Sequence, residues 1–382
     1  LLVNHFSFSA NGRRVACAIT EMPKDLDPDN LDVEGLVNQQ VVVCDGTLSS
    51  IRPGERTNAG RLATLLDEIG QRADQRHLYH PGIQGGGLTR WINAATGRTI
   101  DRGILAGYAF LAEHYRPGDA ILLFGYSRGA YAMRSLAGMI GRVGLVRADA
   151  ASPTRIGEAL DHYRACLDPR DAGPAGSPAG SPDAAAFAKA HCHRGVAVEM
   201  LGVWDTVRAL GLPVPGLDWL MPEETRFHDD ALGPHIRHGY HAMALDEDRA
   251  VFAPVPWRRS PGWRGRLVQC WFSGGHGDVG GQVRHYPAAR GLANIPLNWM
   301  LRLAAGHGLR LPRDWATRFP EDPAAPSSSG RSMLAPFFVH RTSRRVGTAD
   351  GETLHPSVAA RAAALAAPGP PAAAPTGAAN PA

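Results

Sequence analysis

The stretch Gly125-Tyr126-Ser127-Arg128-Gly129 places a serine between two glycines, and this spacing is the signature of a nucleophile elbow. In such an elbow a strand turns sharply into a helix, and the glycines let the backbone close around a strained serine. The serine hydroxyl then stands free to attack a carbonyl carbon. The pattern predicts nucleophilic catalysis at Ser127, and a serine that only caps the following helix is the alternative.

A serine nucleophile needs a histidine base and a carboxylate that orients the histidine. His276 lies in a glycine-rich stretch after an apolar run, and Asp205 directly follows the apolar run Val198–Trp204. The order serine, aspartate, histidine is that of the α/β hydrolases. We therefore predict Ser127, Asp205 and His276 as the catalytic residues. The carboxylates that compete with Asp205 are Asp246, Asp248 and the reserve acid Asp278.

Acyl transfer also needs hydrogen-bond donors for the oxyanion of the tetrahedral intermediate. The backbone amide of Arg128, at the start of the predicted helix, is the first candidate. A second donor should come from the loop after an early strand, and Asp45-Gly46-Thr47 follows the β-branched run Gln40–Cys44. We predict the amide of Gly46 or of Thr47 for this role, although an ordinary Asp-Gly turn gives the same pattern.

Histidines at three-residue spacing permit a metal-binding alternative, because such residues share one face of a helix. Gly239 weakens a helix at that point, and no carboxylate lies among the three histidines. Solvated histidines are more common than this kind of site, so we predict no metal and no cofactor. The residues concerned are His235, His238 and His241, together with His276, Asp278 and Asp45.

Apolar runs that end in reactive or turn residues must position these side chains. Strands alternate with helices along the chain, which predicts an α/β fold of the α/β-hydrolase type, with a mainly parallel, doubly wound sheet covered by helices on both faces. The site is then expected at the carboxyl ends of the strands. The predicted strands are Gln40–Cys44, His77–Tyr79, Ile121–Phe124, Val198–Trp204 and Leu267–Phe272, and the last good helix is predicted near Ile295 with Pro296 in its first turn.

The composition is that of a soluble globular protein: of 382 residues, 44% are hydrophobic and 20% charged. The net charge of +4 is mild and forms no basic stripe, so we predict no nucleic-acid partner. No apolar run reaches the roughly 18 residues that span a bilayer. The first residues show no signal peptide, and the five cysteines form no C-x-x-C pair. We expect synthesis in the cytoplasm, and any secretion would proceed without a signal peptide.

Changes in composition predict three parts. Residues 1–38 form an N-terminal extension, residues 39–310 the catalytic domain, and residues 311–382 a C-terminal extension with an Ala/Pro-rich tail that is disordered beyond about Pro356. A flexible insertion is predicted at about 169–190. The apolar stretch Ala209–Met221, close after Asp205, could act as a lid or membrane contact, or could be a core-packing loop.

Several ordered blocks between about Val41 and Leu309 resemble a known family. They are Cys44-Asp45-Gly46-Thr47 with Thr57-Asn58, Tyr79-His80-Pro81-Gly82, Tyr115–Asp119 leading through Phe124–Tyr131, Leu201–Val207, His241–Glu247 and Trp271–Gly281. The family is the group of α/β hydrolases that includes the type VI secretion phospholipase effectors of the first Tle class. The chain departs from the usual pattern at Cys44, Leu48 and Gln282, where the family usually has Phe, an aromatic residue and Gly.

The resemblance implies that Ser127, Asp205 and His276 form a catalytic triad. It also implies hydrolysis of phospholipid acyl esters, and for the effector members delivery into a neighbouring cell. A membrane surface and an immunity or secretion partner are then the expected contacts. The alternatives are a cytosolic carboxylesterase acting on a smaller ester, and a non-catalytic binding module on the same fold.

Overall fold

A parallel sheet of seven strands lies at the centre of the fold. The computed structural model describes residues 5–10, 13–18, 37–47, 49, 52, 54–82, 98–167, 182–207, 231–329 and 341–366. The strands of the sheet are β3 Gln39–Cys44, β4 Gln75–His80, β5 Ala120–Tyr126, β6 Val198–Trp204, β8 Ile236–Ala244, β10 Arg266–Phe272 and β11 Glu352–Leu354. The shorter strands are β1 His5–Ala10, β2 Arg13–Ala18, β7 Ala231–Leu232 and β9 Arg258–Arg259.

Across the sheet the strands lie in the order β11-β10-β8-β6-β5-β3-β4, and the direction of this order reverses between β3 and β5. From β3 the chain goes to β4 on one side, and it then crosses to β5 and continues towards β11 on the other side. This reversal is a switch point, where the loops at the carboxyl ends of the two strands diverge and leave a crevice. The loop after β3 and the elbow after β5 therefore meet at the place where such sheets carry their sites.

Helices cover both faces of the sheet. Val42 and Val43 are neighbours in β3, yet each is fully buried in a different apolar core. Successive side chains of a strand point to opposite faces, so both faces of this strand are covered. The doubly wound α/β fold predicted from the sequence is confirmed. The α-helices are Asn58–Ile69, Arg98–His114, Arg128–Val143, Pro153–Cys166, Pro182–His191, His276–Gly280, Arg290–Gly306 and Pro356–Ala366.

Two segments that the sequence predicts as unstructured contain helices. Part of the predicted flexible insertion is the helix Pro182–His191, because Ala184 and Phe187 are buried and supply the apolar contacts that a short helix needs. Part of the predicted disordered tail is the helix Pro356–Ala366. The prediction of disorder is therefore wrong for these residues. Residues 168–181 and 367–382, and the apolar stretch 209–221, lie outside the described residues.

Further boundaries differ from those predicted. The last large helix begins at Arg290, so Pro296 lies inside it rather than in its first turn. The backbone oxygen of Pro296 accepts a hydrogen bond from the indole of Trp204 at 3.0 Å, which ties this helix to β6. Strand β11 lies beyond the predicted domain boundary at residue 310, yet it pairs with β10 in the main sheet. The N-terminal residues contain the antiparallel pair β1 and β2.

None of the described helices is both long and apolar enough to span a membrane.

Candidate active site

Ser127 lies at the turn between β5 and the helix Arg128–Val143, with φ of 55° and ψ of −119°. A positive φ is strained for a residue with a side chain. The Ser127 hydroxyl makes no capping hydrogen bond to the helix, so the alternative of a simple helix cap does not describe this turn. The strain and a hydroxyl that does not cap the helix are the features of a nucleophile elbow.

The glycines on either side of the elbow are required by close backbone approach. A Cβ atom added at Gly125 would lie 2.5 Å from the backbone oxygen of Gly129, and one added at Gly129 would lie 2.2 Å from that of Cys44. Both distances are far below contact between nonbonded atoms. Any larger residue would push the helix away from the sheet, and the serine would move with it.

Ser127, His276 and Asp205 are joined by hydrogen bonds, although they are far apart in the sequence. The Oγ of Ser127 lies 2.9 Å from Nε2 of His276, and Nδ1 of His276 lies 2.7 Å from Oδ2 of Asp205. The three residues are 7%, 5% and 0% exposed, respectively. Each follows a different strand of the sheet, namely β5, β10 and β6. We call these three side chains the proposed triad.

Aromatic rings and a buried carboxylate fix the position of His276. The ring of Phe252 stacks on the imidazole at a centroid distance of 4.7 Å, and the ring of Tyr126 lies 5.0 Å away. The backbone amide of His276 donates a hydrogen bond to Oε2 of Glu247 at 3.0 Å. Glu247 is in turn paired with Arg249 at 2.6 Å. The imidazole is therefore held both through its ring faces and through its backbone.

Asp205 is also strained, with φ of 40°. Its Oδ1 accepts the amide of Ala244 at 2.9 Å, and the guanidinium of Arg344 approaches Oδ1 and Oδ2 at 2.5 and 2.9 Å. Burial acts to raise the pKa of Asp205, but the charge of Arg344 and the hydrogen bond from His276 outweigh it and hold the pKa well below its ordinary value. The carboxylate is thus kept ionised in a fully buried place.

The reserve acid Asp278 has different partners. Its carboxylate accepts hydrogen bonds from the amide of Gly275 at 2.9 Å, from the hydroxyls of Ser327 and Ser328 at 2.5 Å, and from the amide of Ser328 at 2.9 Å. Among the described contacts, none joins Asp278 to the imidazole of His276. This carboxylate stabilises the turn that carries His276 and binds it to the C-terminal segment.

The loop after β3 lies directly against the elbow. A Cβ atom added at Gly46 would lie 3.3 Å from that of Ser127. The amide of Gly46 already donates to Oδ1 of Asp45 at 2.7 Å. The hydroxyl of Thr47 is buried with no hydrogen-bond partner among the described residues. The backbone oxygen of Thr47 accepts a hydrogen bond from Gln282 at 3.1 Å.

Asp45 is the centre that holds this loop in place. Besides the Gly46 amide, its carboxylate accepts the hydroxyls of Ser49, Thr57 and Tyr79 at 2.7, 2.6 and 2.8 Å. Burial raises the pKa of Asp45, and these hydrogen bonds act in the opposite direction. Sequence blocks that resemble the family at separate places are therefore one hydrogen-bonded unit in space.

The three histidines at regular spacing do not share a helix face. His238 and His241 lie in β8, where positions three apart point to opposite faces of the sheet. Nε2 of His241 accepts the Thr206 amide at 3.0 Å. His235 lies just before the strand and hydrogen-bonds the backbone oxygen of Ala137 at 2.8 Å. The helical arrangement considered for a metal site is therefore wrong.

The sequence interpretation missed the residues around the triad. Glu247 lies within a block that resembles the family, so its motif offered a signal. Phe252 and Arg344 offered none, because neither lies in a recognisable motif and Arg344 follows Asp205 at a long sequence separation. Arg128 is mostly buried, and this burial lowers the pKa of its side chain to about 10.

The parallel sheet with a strained serine elbow at its switch point defines an α/β-hydrolase fold. A family model described as "T6SS, Phospholipase effector Tle1-like, catalytic domain" matches residues 38–303, which is more than half of the chain. The chain belongs to this family.

Individual relatives are more distant. The uncharacterized protein YEL023C of Saccharomyces cerevisiae is 36% identical over a 124-residue alignment, and the match covers 28% of this chain and 18% of that protein. The crystal structure of an uncharacterized protein from Pseudomonas aeruginosa has a TM-score of 0.39 and 17% identity, and the match covers 79% of this chain and 50% of that one. The structure of the Tle1 effector bound to the VgrG spike of the type 6 secretion system has a TM-score of 0.30 and 17% identity, with 73% and 55% covered. The chain spans about half of the length of these two structures.

Proposed function

We propose that this chain is a serine ester hydrolase that cleaves acyl esters of phospholipids. The observation that carries the proposal is the hydrogen-bonded order Ser127, His276, Asp205 at a strained elbow, with distances of 2.9 and 2.7 Å. Membership of the Tle1-like family supports a phospholipid as the substrate class. No cofactor takes part in this chemistry.

In the proposed reaction the oxygen of Ser127 attacks the acyl carbonyl carbon, while Nε2 of His276 takes the hydroxyl proton. The tetrahedral intermediate collapses when His276 returns this proton to the departing alcohol, which leaves as the lysophospholipid. Water then attacks the acyl-enzyme with His276 again acting as base, and the fatty acid is released. Asp205 keeps the imidazole in the required tautomer and stabilises it when it becomes charged.

The oxyanion of the intermediate needs two donors. The amide of Arg128 at the start of the elbow helix is the first, because the positive end of the helix dipole lies there. For the second we propose the hydroxyl of Thr47, in place of the Gly46 or Thr47 amide predicted from the sequence, since the Gly46 amide is donated to Asp45 while the Thr47 hydroxyl is buried without a partner among the described residues. Gln282 holds Thr47 through its backbone oxygen.

The site is also expected to work at a lipid surface and after export. The solved Tle1 effector is bound to a VgrG spike, and a spike protein of that kind is the secretion partner that we propose for this chain. An immunity protein that blocks the site is the second partner expected of an effector. A cytosolic carboxylesterase and a non-catalytic module are the alternatives that the following experiment separates.

A fluorophosphonate probe and two substrates test the proposal. The probe should label the wild-type chain and Ser135→Ala, a control at a serine of the helix that follows the elbow, but it should not label Ser127→Ala. Vesicles of phosphatidylethanolamine and phosphatidylglycerol should release fatty acid, faster per ester bond than p-nitrophenyl butyrate in solution. A preference for the soluble ester would favour the carboxylesterase. Equal labelling of wild type and Ser127→Ala would contradict catalysis at this elbow.

A further inference from the structure

Arg344 lies outside the stretch that the family model matches, yet its side chain reaches the proposed triad. The side chain of Arg344 is only 3% exposed, and its guanidinium faces the side chain of Asp205, which is 0% exposed. Nη1 lies 2.5 Å from Oδ1 and Nη2 lies 2.9 Å from Oδ2, so the two groups meet side by side. Such a planar, two-point contact fixes orientation as well as charge.

The same guanidinium is anchored on the loops that surround the acid. Nη1 also donates to the backbone oxygen of Ala244 at 2.8 Å, and Nη2 donates to that of Phe252 at 2.5 Å. Ala244 ends β8, and Phe252 carries the ring that stacks on His276. Arg344 therefore links the acid, the end of a neighbouring strand and the support of the imidazole.

The segment that carries Arg344 is fastened beside the site. The amide of Thr342 donates to the backbone oxygen of Asp248 at 2.6 Å, and Arg341 forms an antiparallel bridge with Arg249 and an ion pair with Asp248. The Arg341 pair is 45% and 51% exposed, so it is screened and worth little. Arg341 and Arg344 can therefore be compared directly: Arg341 forms a solvent-exposed ion pair with Asp248, and Arg344 forms a buried one with Asp205.

We propose that Arg344 is a positioning residue of the hydrolase, which holds Asp205 so that one carboxylate oxygen stays aimed at Nδ1 of His276. This inference rests on the proposed function, because it assigns Arg344 a role only through the triad. The strained backbone of Asp205 explains why such a clamp is needed. Without the guanidinium, a carboxylate buried among protein groups would have to turn or take up a proton to find new partners.

The test uses the full chain and the variants Arg344→Met, Arg344→Lys and the control Arg341→Met. With p-nitrophenyl butyrate, Arg344→Met should lower kcat by about 10- to 100-fold, the scale of a charge-assisted hydrogen bond, with KM within about twofold. Arg344→Lys should recover part of this loss because it restores the charge without the fork. Arg341→Met should match the wild type. Each rate is divided by the concentration of active sites, measured by fluorophosphonate titration, so that misfolded protein does not lower the measured kcat.

A double-mutant cycle assigns the effect to Asp205. In an Asp205→Asn background, adding Arg344→Met should change kcat by less than about threefold, since there is no longer an ionised acid to position. An unchanged kcat in Arg344→Met, or an equal loss with and without Asp205→Asn, would overturn the role of Arg344. If Arg344→Met does not fold, Arg344→Ala with millimolar methylguanidinium replaces it, and the added ion should restore activity. Absence of rescue, with Arg344→Lys as inactive as Arg344→Ala, would overturn the inference.

Failure of the underlying function gives a different result. If Ser127→Ala and Asp205→Asn both turn over at the wild-type rate, the triad is wrong, and the role of Arg344 falls with it. If both are inactive while Arg344→Met is fully active, the proposed function stands and only the positioning role is overturned.

Discussion

The sheet carries two groups of hydrogen-bonded side chains, each made of a carboxylate, a histidine and a hydroxyl. One group lies at each end of the strands. At the carboxyl ends lies the proposed triad. Near the amino ends, Oε1 of Glu199 lies 3.3 Å from Nδ1 of His307, and Nε2 of His307 lies 3.0 Å from the hydroxyl of Tyr240. Glu199 is the second residue of β6 and Asp205 directly follows it, so the two acids are about 20 Å apart at the rise of a strand. We call the second group the amino-end chain.

The proposed triad and the amino-end chain differ in what surrounds their hydrogen bonds. Both non-glycine residues with positive φ in the described part of the structure, Ser127 and Asp205, belong to the proposed triad. Tyr240 lies inside β8 rather than at a strained turn before a helix. The side chain of Glu199 is 19% exposed and also pairs with Arg237, whereas that of Asp205 is 0% exposed. Of the two, the proposed triad is the one that combines a carboxylate, a histidine and a hydroxyl in line with a strained backbone and a helix start.

The largest expected difference is between the two histidines. His276→Ala should lower kcat on a soluble ester by about a millionfold, the scale seen when a triad histidine is removed. His307→Ala should keep kcat within about twofold and lower the free energy of unfolding by about 1–2 kcal/mol, since Glu199 and Tyr240 lose a partner. Ester hydrolysis and urea unfolding measure both. Loss of activity in a folded His307→Ala protein would show that the amino-end chain takes part in the reaction.

The acids give the next largest difference. Asp205→Asn should lower kcat by about 10⁴-fold, because an amide at this place favours the wrong tautomer of His276. Glu199→Gln should leave kcat within about twofold. Asp278→Asn should cost stability through the hydroxyls of Ser327 and Ser328 but lower kcat by less than about tenfold. A larger loss of kcat in Asp278→Asn than in Asp205→Asn would transfer the role of acid to the reserve residue.

Substitutions at Thr47, in the loop after β3, test the oxyanion donor that we propose at the carboxyl ends of the strands. Thr47→Val should lower kcat by about 10²-fold, the scale of one lost oxyanion donor, while KM changes little. Thr47→Ser keeps the hydroxyl and should stay within about fivefold of the wild type. Steady-state kinetics on the same ester measures both variants. Full activity in Thr47→Val would rule out the hydroxyl as donor.

The smallest effect concerns stability in acid. The hydrogen bond from His307, against partial burial and with help from Arg237, lowers the pKa of Glu199 to about 2. A carboxyl with a depressed pKa stabilises the fold above its unfolded pKa, and this stabilisation is lost as pH falls towards the folded value. Glu199→Gln should therefore be about 1 kcal/mol less stable than wild type at pH 6, with allowance for solvent exposure. The difference should vanish near pH 2. A constant difference from pH 6 to pH 2 would contradict this origin.

That the residues of the proposed triad lie together could be predicted because local patterns mark them. Ser127, Asp205 and His276 each follow an apolar run in a turn-forming context, and parallel strands bring such ends to one edge. Strand β8 is absent from the predicted strands because it contains Gly239 and histidines instead of a β-branched run, which leaves no strand pattern to detect. Its burial between β6 and β10 decides the structure, and that is a tertiary effect.

The support of the site could not be predicted for a different reason. The partners of Asp205 and His276 are chosen by geometry across loops, and nothing in the residues around Arg344 or Phe252 marks them. The residues around Asp45 are an intermediate case. Most of them lie in blocks that resemble the family, but only the structure shows that they donate hydrogen bonds to the same carboxylate. Local chemistry thus indicates the side chains proposed to react, and long-range packing selects the groups that hold them.

The position of Arg344 along the chain bears on when, during synthesis, the proposed hydrolase site becomes complete. A ribosome makes the elbow, the acid and the histidine well before it makes residue 344, and β11 follows later still. In the role proposed for Arg344, a nascent chain that has already formed the sheet from β3 to β10 still lacks the cation that holds its acid. In that case the proposed site becomes competent only after residue 344 has been made, rather than when the elbow first folds.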